Sequence, residues 1–457
     1  MISQLGIAIS GVFRRLMPEP FVLAILLTFV TLFLAHTLTG IAFPDLVRAW
    51  SGDAGVWALL NFGMQMCLIL VTGHALASSP PVSALLERLT TTLRTPTQAV
   101  VLVALVATLF GVLNWGLGLI AGALMARRVG VAMQQRGVTV HYPLLCAAGY
   151  LGLLVWHGGF SGSAPLKVTQ ASEIQDLFGA DAPFAEIPLT ETILSGMNLF
   201  VTGGLLLLAP LLVALLTPRP GDAQTPDRFV DTAAAPGPVL RTDKPALPRL
   251  LEDTPILTLL LVLLIGVWAW GFYFPTDLSQ SGIKRLTPNS VNLTMLMLGL
   301  IMHRTPARYV RAIDDAVRGC AGIILQFPLY AGIMGVMKAS GLTALLAERI
   351  AATTSATTLP ILTFFSAAIV NLFVPSGGGQ WAVQGPIAMH AGIEAGVPAA
   401  KMVMSVAYGD QLTNMLQPFW ALPLLSITGV KARDIVGYTA LVMLFACAWI
   451  LLGLALF

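Results

Sequence analysis

The stretch Asn371–Pro386, "NLFVPSGGGQWAVQGP", is the least helix-like segment of a strongly apolar chain. Three consecutive glycines and two prolines disfavour an unbroken helix, because glycine costs backbone entropy and proline lacks the N–H that the helix ladder needs. Yet no Asp, Glu, Lys or Arg occurs between Arg349 and Glu394, so the segment belongs at membrane depth. Irregular backbone survives there only where protein buries it or where it lines a cavity reached by water or ligand. The stretch therefore predicts an interrupted membrane helix at a functional site. Close helix packing alone would need neither three glycines in a row nor the glutamine.

The rest of the chain supplies the membrane. Of its 457 residues, 56% are hydrophobic and 10% charged, with a mean hydropathy of +0.82. Soluble domains carry about 25% charged residues. The net charge of +3 comes from scattered basic residues, which excludes a nucleic-acid partner. Cys67, Cys146, Cys320 and Cys447 are far apart with no CxxC spacing, and read as packing residues. Arg14 and Arg15 precede the apolar run Phe21–Ala35, and no small-x-small cleavage site follows. This predicts a retained first span with a cytoplasmic N-terminus.

About 20 apolar residues span a bilayer core. Spans are expected near 20–39, 57–77, 97–113, 143–157, 193–216, 255–274, 290–303, 320–337, 359–373, 399–415 and 434–456. Segments near 115–126, 160–166, 376–393 and 418–428 read as too short or too Gly/Pro-rich to cross alone. The polar, proline-rich stretch 217–250 reads as a linker between a first repeat, 1–216, and a second, 251–457. The halves match weakly but in order. Asn61 and His74 match Asn292 and His303, and the Arg-bearing stretch 80–94 matches 305–318. "VLNWGLGLIAG" (112–122) matches "IVNLFVPSGGG" (369–379), and 147–166 matches 405–424. Such duplicated halves with interrupted helices are the best sequence pointer to a secondary transporter's site. Loops 78–97 and 127–136 are basic and read as cytoplasmic; 168–191, with Glu173, Asp176, Asp181, Glu186 and Glu191, reads as external. The charges of 303–319 are mixed.

The broken segments offer ligand groups. "HGGFSGSAP" (157–165) supplies His157, Gly159, Ser161, Gly162 and Ser163; "PSGGGQWAVQ" (375–384) supplies Ser376, Gly377, Gly378, Gly379, Gln380, Trp381 and Gln384. Half-helices starting at such breaks would aim N–H groups and positive dipole ends at a small anion. No Arg or Lys lies inside these segments, which favours a monocarboxylate. Phe160 and Trp381 could wall its acyl tail. Asp410 is the one acid between Lys401 and Lys431. A carboxylate inside the membrane is costly unless paired or functional, so Asp410 is a candidate to load H⁺, or Na⁺ together with Thr413, Asn414 and nearby carbonyls. Two other readings stay open: an intramembrane serine protease built on Gly159-Phe160-Ser161-Gly162 with His74 or His390, and a passive anion channel.

"NLFVPSGGGQWAVQGPI" (371–387), "WHGGFSGSAPL" (156–166) and "YGDQLTNMLQPFWALPLL" (408–425) resemble the bacterial short-chain fatty acid transporter family, within the ion-transporter superfamily. The resemblance covers almost the whole chain. It implies an all-α integral membrane protein of the bacterial inner membrane, built from two inverted repeats, each with a re-entrant hairpin and a broken transmembrane helix. It further implies an elevator-type symporter of butyrate- or acetoacetate-like acids, working as a homodimer without a cofactor, with H⁺ or Na⁺ as coupling ion. On this resemblance the hairpin-tip residues are Ser161 to Ser163 and Ser376 to Gly379, and the cation residues Asp410, Asn414 and Asn371, with Thr413 and Asn114 beside them. The Ser-Asn-Thr tips of the superfamily's dicarboxylate carriers are missing, which speaks against dicarboxylates.

Overall fold

A computed structural model describes residues 2–169, 171, 174–175, 186–230, 245–276, 287–345 and 355–457, and every regular element among them is helical. In the first half these are α1 (Ile2–Leu16), α2 (Pro20–Thr39), α3 (Phe43–Ser51), α4 (Leu60–Ser78), α5 (Pro80–Thr91), α6 (Pro96–Leu113), α7 (Trp115–Gln135), α8 (Tyr142–Tyr150), α9 (Ser163–Lys167) and α10 (Gly196–Leu215). The second half holds α11 (Ala246–Asp253), α12 (Ile256–Tyr273), α13 (Pro288–His303), α14 (Pro306–Val317) and α15 (Ala321–Ala339). It continues with α16 (Leu359–Phe373), α17 (Gly377–Glu394), α18 (Ala399–Thr413), α19 (Pro418–Thr428) and α20 (Ala432–Leu456). Seven stretches among the described residues are long and apolar enough to cross a bilayer. On α12, Leu264, Val267 and Trp270 are each at least 70% exposed, as residues facing lipid would be.

Cross-helix bonds fix the directions. Gln65 bonds Asn289 and Asn292, Thr72 reaches Met295, and His303 Nε2 lies 2.7 Å from Ala75 O. Both residue numbers rise together, so α4 and α13 run parallel and end on one face, here called face A. Parallel helices cannot be partners in an inverted duplication, so the expected match of Asn61–His74 with Asn292–His303 does not describe one. The mixed-charge segment 303–319 opens on the same face as 78–97. Against α8 the sense is opposite: Tyr150 donates to Asn414 O (2.9 Å) and Gln417 O (3.1 Å), and Tyr142 to Thr428 O (3.0 Å). Thus α8 and α19 are antiparallel.

Two hairpins follow from these directions. The α6–α7 pair opens on face A, where the Arg136 guanidinium donates to Thr90 O. Small residues let its helices and α8 touch by backbone: a Cβ on Gly122 would lie 2.0 Å from Gly149 O. The α16–α17 pair opens on the opposite face B, clamped by Gln380 Nε2 to Ala367 O (2.9 Å) and Gln384 Nε2 to Ser366 Oγ (3.1 Å). Starts of like elements keep a near-constant chain shift: α6 to α16 is 359 − 96 = 263, and α7 to α17 is 377 − 115 = 262.

Three expectations are corrected. Segment 115–126 belongs to the 21-residue helix α7. The span expected at 143–157 stops as an α-helix at Tyr150. Half of the expected linker is anchored on face A: residues 217–230 form two 3₁₀ turns and 246–253 are helix α11, while 231–244 lie outside the described residues. Of the acidic segment, Glu173, Asp176 and Asp181 also lie outside them.

In the anchored part, Gln224 O accepts from Tyr142 N (2.8 Å), Arg14 donates to Gln224 Oε1 (2.9 Å), and Gln224 N donates to His141 Nδ1 (3.0 Å). His141 must therefore carry its proton on Nε2, which donates to the Tyr438 hydroxyl at 2.9 Å. Burial, with Arg14 nearby, pushes the His141 imidazole down to about 4. A base depressed in the folded state stays neutral while the unfolded chain takes up a proton. Stability is therefore full above the ordinary histidine value of about 6.5 and falls as pH drops toward about 4, by on the order of 3 kcal/mol. The melting temperature of purified protein, followed from pH 7.5 to 4.5, should decline accordingly, and His141→Gln should flatten the decline.

Candidate functional site

The sequence breaks its helices where polar residues must meet. After α8, one 3₁₀ turn (Leu151–Leu154) and a run of turns carry the chain to α9; after α18, a 3₁₀ turn (Asn414–Leu416) leads to α19. The first hairpin tip joins the first break through Phe160 N to Val112 O at 2.7 Å. The second tip lies against it: a Cβ on Gly377 would stand 2.6 Å from Trp156 Cη2 and 3.0 Å from His157 Cε1. Only glycine permits that approach.

At this junction His157 and Asp410 are 0% and 1% exposed, with Nδ1 3.0 Å from Oδ1. His157 Nε2 accepts the Ala164 N–H at 3.1 Å, so it holds no proton. The proton is on Nδ1 and is donated to Asp410. The second carboxylate oxygen, Asp410 Oδ2, is buried without a partner. Other charged groups stand off among the described residues: on α17, His390 and Glu394 are exposed at its far end and pair with each other at 3.4 Å.

A polar net surrounds the pair. Asn371 Nδ2 faces three oxygens: Asp410 O (2.7 Å), Asn414 Oδ1 (2.9 Å) and Thr413 Oγ1 (3.0 Å). The residues expected at a cation site thus gather at one point, except Asn114. That side chain caps α7, accepting from Gly116 N (3.0 Å) and Leu117 N (3.1 Å). Sequence reasoning missed Gln411, whose Oε1 accepts from His157 N (3.1 Å) and Gly158 N (3.2 Å). It also missed Asn198, which donates to Gly158 O (2.8 Å) and accepts from Tyr408 (3.0 Å), and Gln417, which donates to Asn371 O. A lone Asn inside the apolar α10, and two glutamines within seven residues after Asp410, were the available signals.

The expected substrate residues divide. Ser163, Ser376, Gly378 and Gly379 are half-buried, and a Cβ on Gly378 would be 3.9 Å from Ser163 Oγ. Ser376 caps α17 by accepting from Gly379 N at 3.2 Å, and the N–H groups of Gly377 and Gly378 have no intrahelical acceptor. Gly159 and Gly162 shape the first break, and Ser161 accepts from Trp115 N at 3.0 Å. Phe160 is 38% exposed. Gln380, Trp381 and Gln384 point into the core; both glutamines bond within the second hairpin.

Taken together, these features define a multi-pass membrane protein with a buried, charged polar site where two hairpin tips meet two broken helices. The family model for the short chain fatty acid transporter matches residues 1–457. A relative from Escherichia coli (strain K12) is 42% identical over 100% of both chains, and one from Haemophilus influenzae 39% identical over 99% of both. Each is described as a candidate short-chain fatty acid transporter. The chain belongs to the short-chain fatty acid transporter family, and its class is that of a transporter. Among solved structures it aligns with the Alcanivorax borkumensis YdaH transporter at 19% identity and a TM-score of 0.43, over 96% of this chain and 97% of that one. It also aligns with Neisseria gonorrhoeae MtrF, of a class of antimetabolite efflux pumps, at 15% identity and a TM-score of 0.41, over 98% and 96%.

Proposed function

We propose that the protein is a secondary active transporter of short-chain monocarboxylates of the butyrate and acetoacetate kind, coupled to H⁺ through Asp410. The substrate carboxylate is held at the facing tips by Ser163 and Ser376 and by the open N–H groups of Gly377 and Gly378, with the acyl tail near Phe160. The observation that carries the reading is Asp410: a buried carboxyl with one oxygen bonded to His157 and the other free to take a cation. His157 positions the carboxyl and stabilises its ionised form after the proton leaves.

Na⁺ is the second reading, favoured by one observation. The Asn371 nitrogen has two hydrogens but three oxygen neighbours, an arrangement that also suits a cation. Hairpins opening on opposite faces support an inverted duplication running α2–α10 and α13–α20, and with it elevator-type alternating access. The dimer rests on the family resemblance alone. Face A carries Arg14, Arg88, Arg94, Arg136, Arg304 and Arg308, which supports an inner-membrane protein with face A and the N-terminus in the cytoplasm.

Uptake of labelled butyrate into proteoliposomes under separately imposed H⁺ and Na⁺ gradients tests this. Accumulation with the H⁺ gradient alone, inhibited by acetoacetate but not by succinate, is the expected result; indifference to both gradients in active vesicles would sink the symporter. Ser376→Ala, which removes one hydroxyl from the tip, should raise KM by roughly threefold to tenfold.

A further inference from the structure

A second recess, mostly apolar, lies on face A, away from the site around Asp410. Where α12 begins and α13 turns into α14, there is a cleft of about 280 Å³ on face A. Leu259, Val262 and Ile301 make its walls apolar, Arg304 and Arg308 also line it, and no acidic residue does. Both arginines are exposed, and neither makes an ion pair among the described residues.

Two details mark the recess as built for an occupant. Thr258 also lines it, is 4% exposed, and its hydroxyl has no partner. Thr258 stands in the first turn of α12, where the residue four back, Thr254, is extended, so its hydroxyl has no helix carbonyl to bond. A buried hydroxyl left unbonded is unfavourable, so a ligand acceptor would satisfy it. In addition, Arg304 is the one non-glycine among the described residues with φ in the left-handed region, at 69°. Glycine would adopt that turn freely; a side-chain-bearing residue there is strained.

We infer that this cleft binds the phosphate of an anionic glycerophospholipid, one acyl chain lying along Leu259, Val262 and Ile301. Two guanidinium groups supply forked donors to the phosphate oxygens, the first turn of α14 adds free N–H groups, and Thr258 closes the polar floor. The apolar walls favour a lipid over free phosphate, because inorganic phosphate gains nothing from them. A zwitterionic lipid would bring its choline or ethanolamine cation against two arginines, which selects for a net negative headgroup.

The test uses full-length protein, delipidated in detergent and titrated with phosphatidylglycerol, phosphatidylcholine or inorganic phosphate, followed by melting temperature and native mass spectrometry. Phosphatidylglycerol should be retained and raise the melting temperature, and the other two should not. The double variant Arg304→Gly, Arg308→Gln should bind phosphatidylglycerol about 25-fold more weakly, roughly fivefold per arginine. Because Arg304→Gly relieves the left-handed turn, the lipid-free melting temperature should hold or rise, which separates lost binding from misfolding. Thr258→Val, of equal size, should weaken binding about threefold. Equal retention of phosphatidylcholine, unchanged binding by the double variant, or stabilisation by inorganic phosphate equal to that by the lipid would each overturn the assignment.

Discussion

Asp410→Asn should reduce gradient-driven butyrate accumulation to an internal-to-external ratio of about one, while exchange of labelled for unlabelled substrate continues. The substitution is nearly isosteric. The new Oδ1 can still accept the His157 Nδ1–H, and the backbone carbonyl of residue 410 still accepts from Asn371. What disappears is the acid of that site, a buried carboxyl whose second oxygen has no hydrogen-bond partner. Transport measured in proteoliposomes under an imposed gradient, beside counterflow in the same vesicles, distinguishes the outcomes. Retained accumulation would make Asp410 a structural hydrogen-bond partner. Loss of both accumulation and counterflow, with folded protein, would place the substitution in substrate handling instead.

The second large effect is structural. Gly122→Leu should abolish the monodisperse peak in fluorescence-detected size-exclusion chromatography. A Cβ at 122 would sit 2.0 Å from Gly149 O and 2.8 Å from Gly149 C, so backbone opposes it and no flexible side chain can yield. Forcing atoms into such a contact costs about 3 kcal/mol or more. Gly203→Leu is the control, since nothing lies within 4 Å of a Cβ there. If Gly122→Leu remained folded and active, the touching backbones of α7 and α8 would not be what holds the first hairpin against α8.

Most spans were legible because bilayer thickness fixes their length and lipid fixes their composition. The ends of α12, α16 and α20 fall within two residues of the expected bounds. Helix α7 was misjudged for a physical reason. Arg127 and Arg128 look like a loop, yet they lie within the helix near its face A end, where Arg127 donates to Ile427 O at 3.1 Å. Long basic side chains reach out from such a depth. Helix α8 was overextended because nothing in an apolar run says where it must stop; it stops so that His157 can meet Asp410. That pair is 253 residues apart in the chain, and no spacing rule reaches across such a distance. The amphipathic helices α1 and α3 escaped because a search for fully apolar runs passes over them.

The described start of the connecting stretch, residues 217–230, is not a free tether. Residues 217–230 are fastened back onto the first half, Gln224 bonding His141, Tyr142 and Arg14, and Arg14 in turn pairs with Asp434 of the second half at 3.0 Å. Tyr142 of the first half also holds Thr428 of the second. A motion that swung one half of the sequence against the other would have to break both the Arg14–Asp434 pair and the Tyr142–Thr428 bond. On the elevator reading proposed above, the seam of motion would instead cut each half in two, dividing the hairpins and broken helices from α2–α4 and α13–α15. Labels meant to report the transport cycle belong on either side of that seam, and a pair straddling residues 217–230 would stay at constant distance.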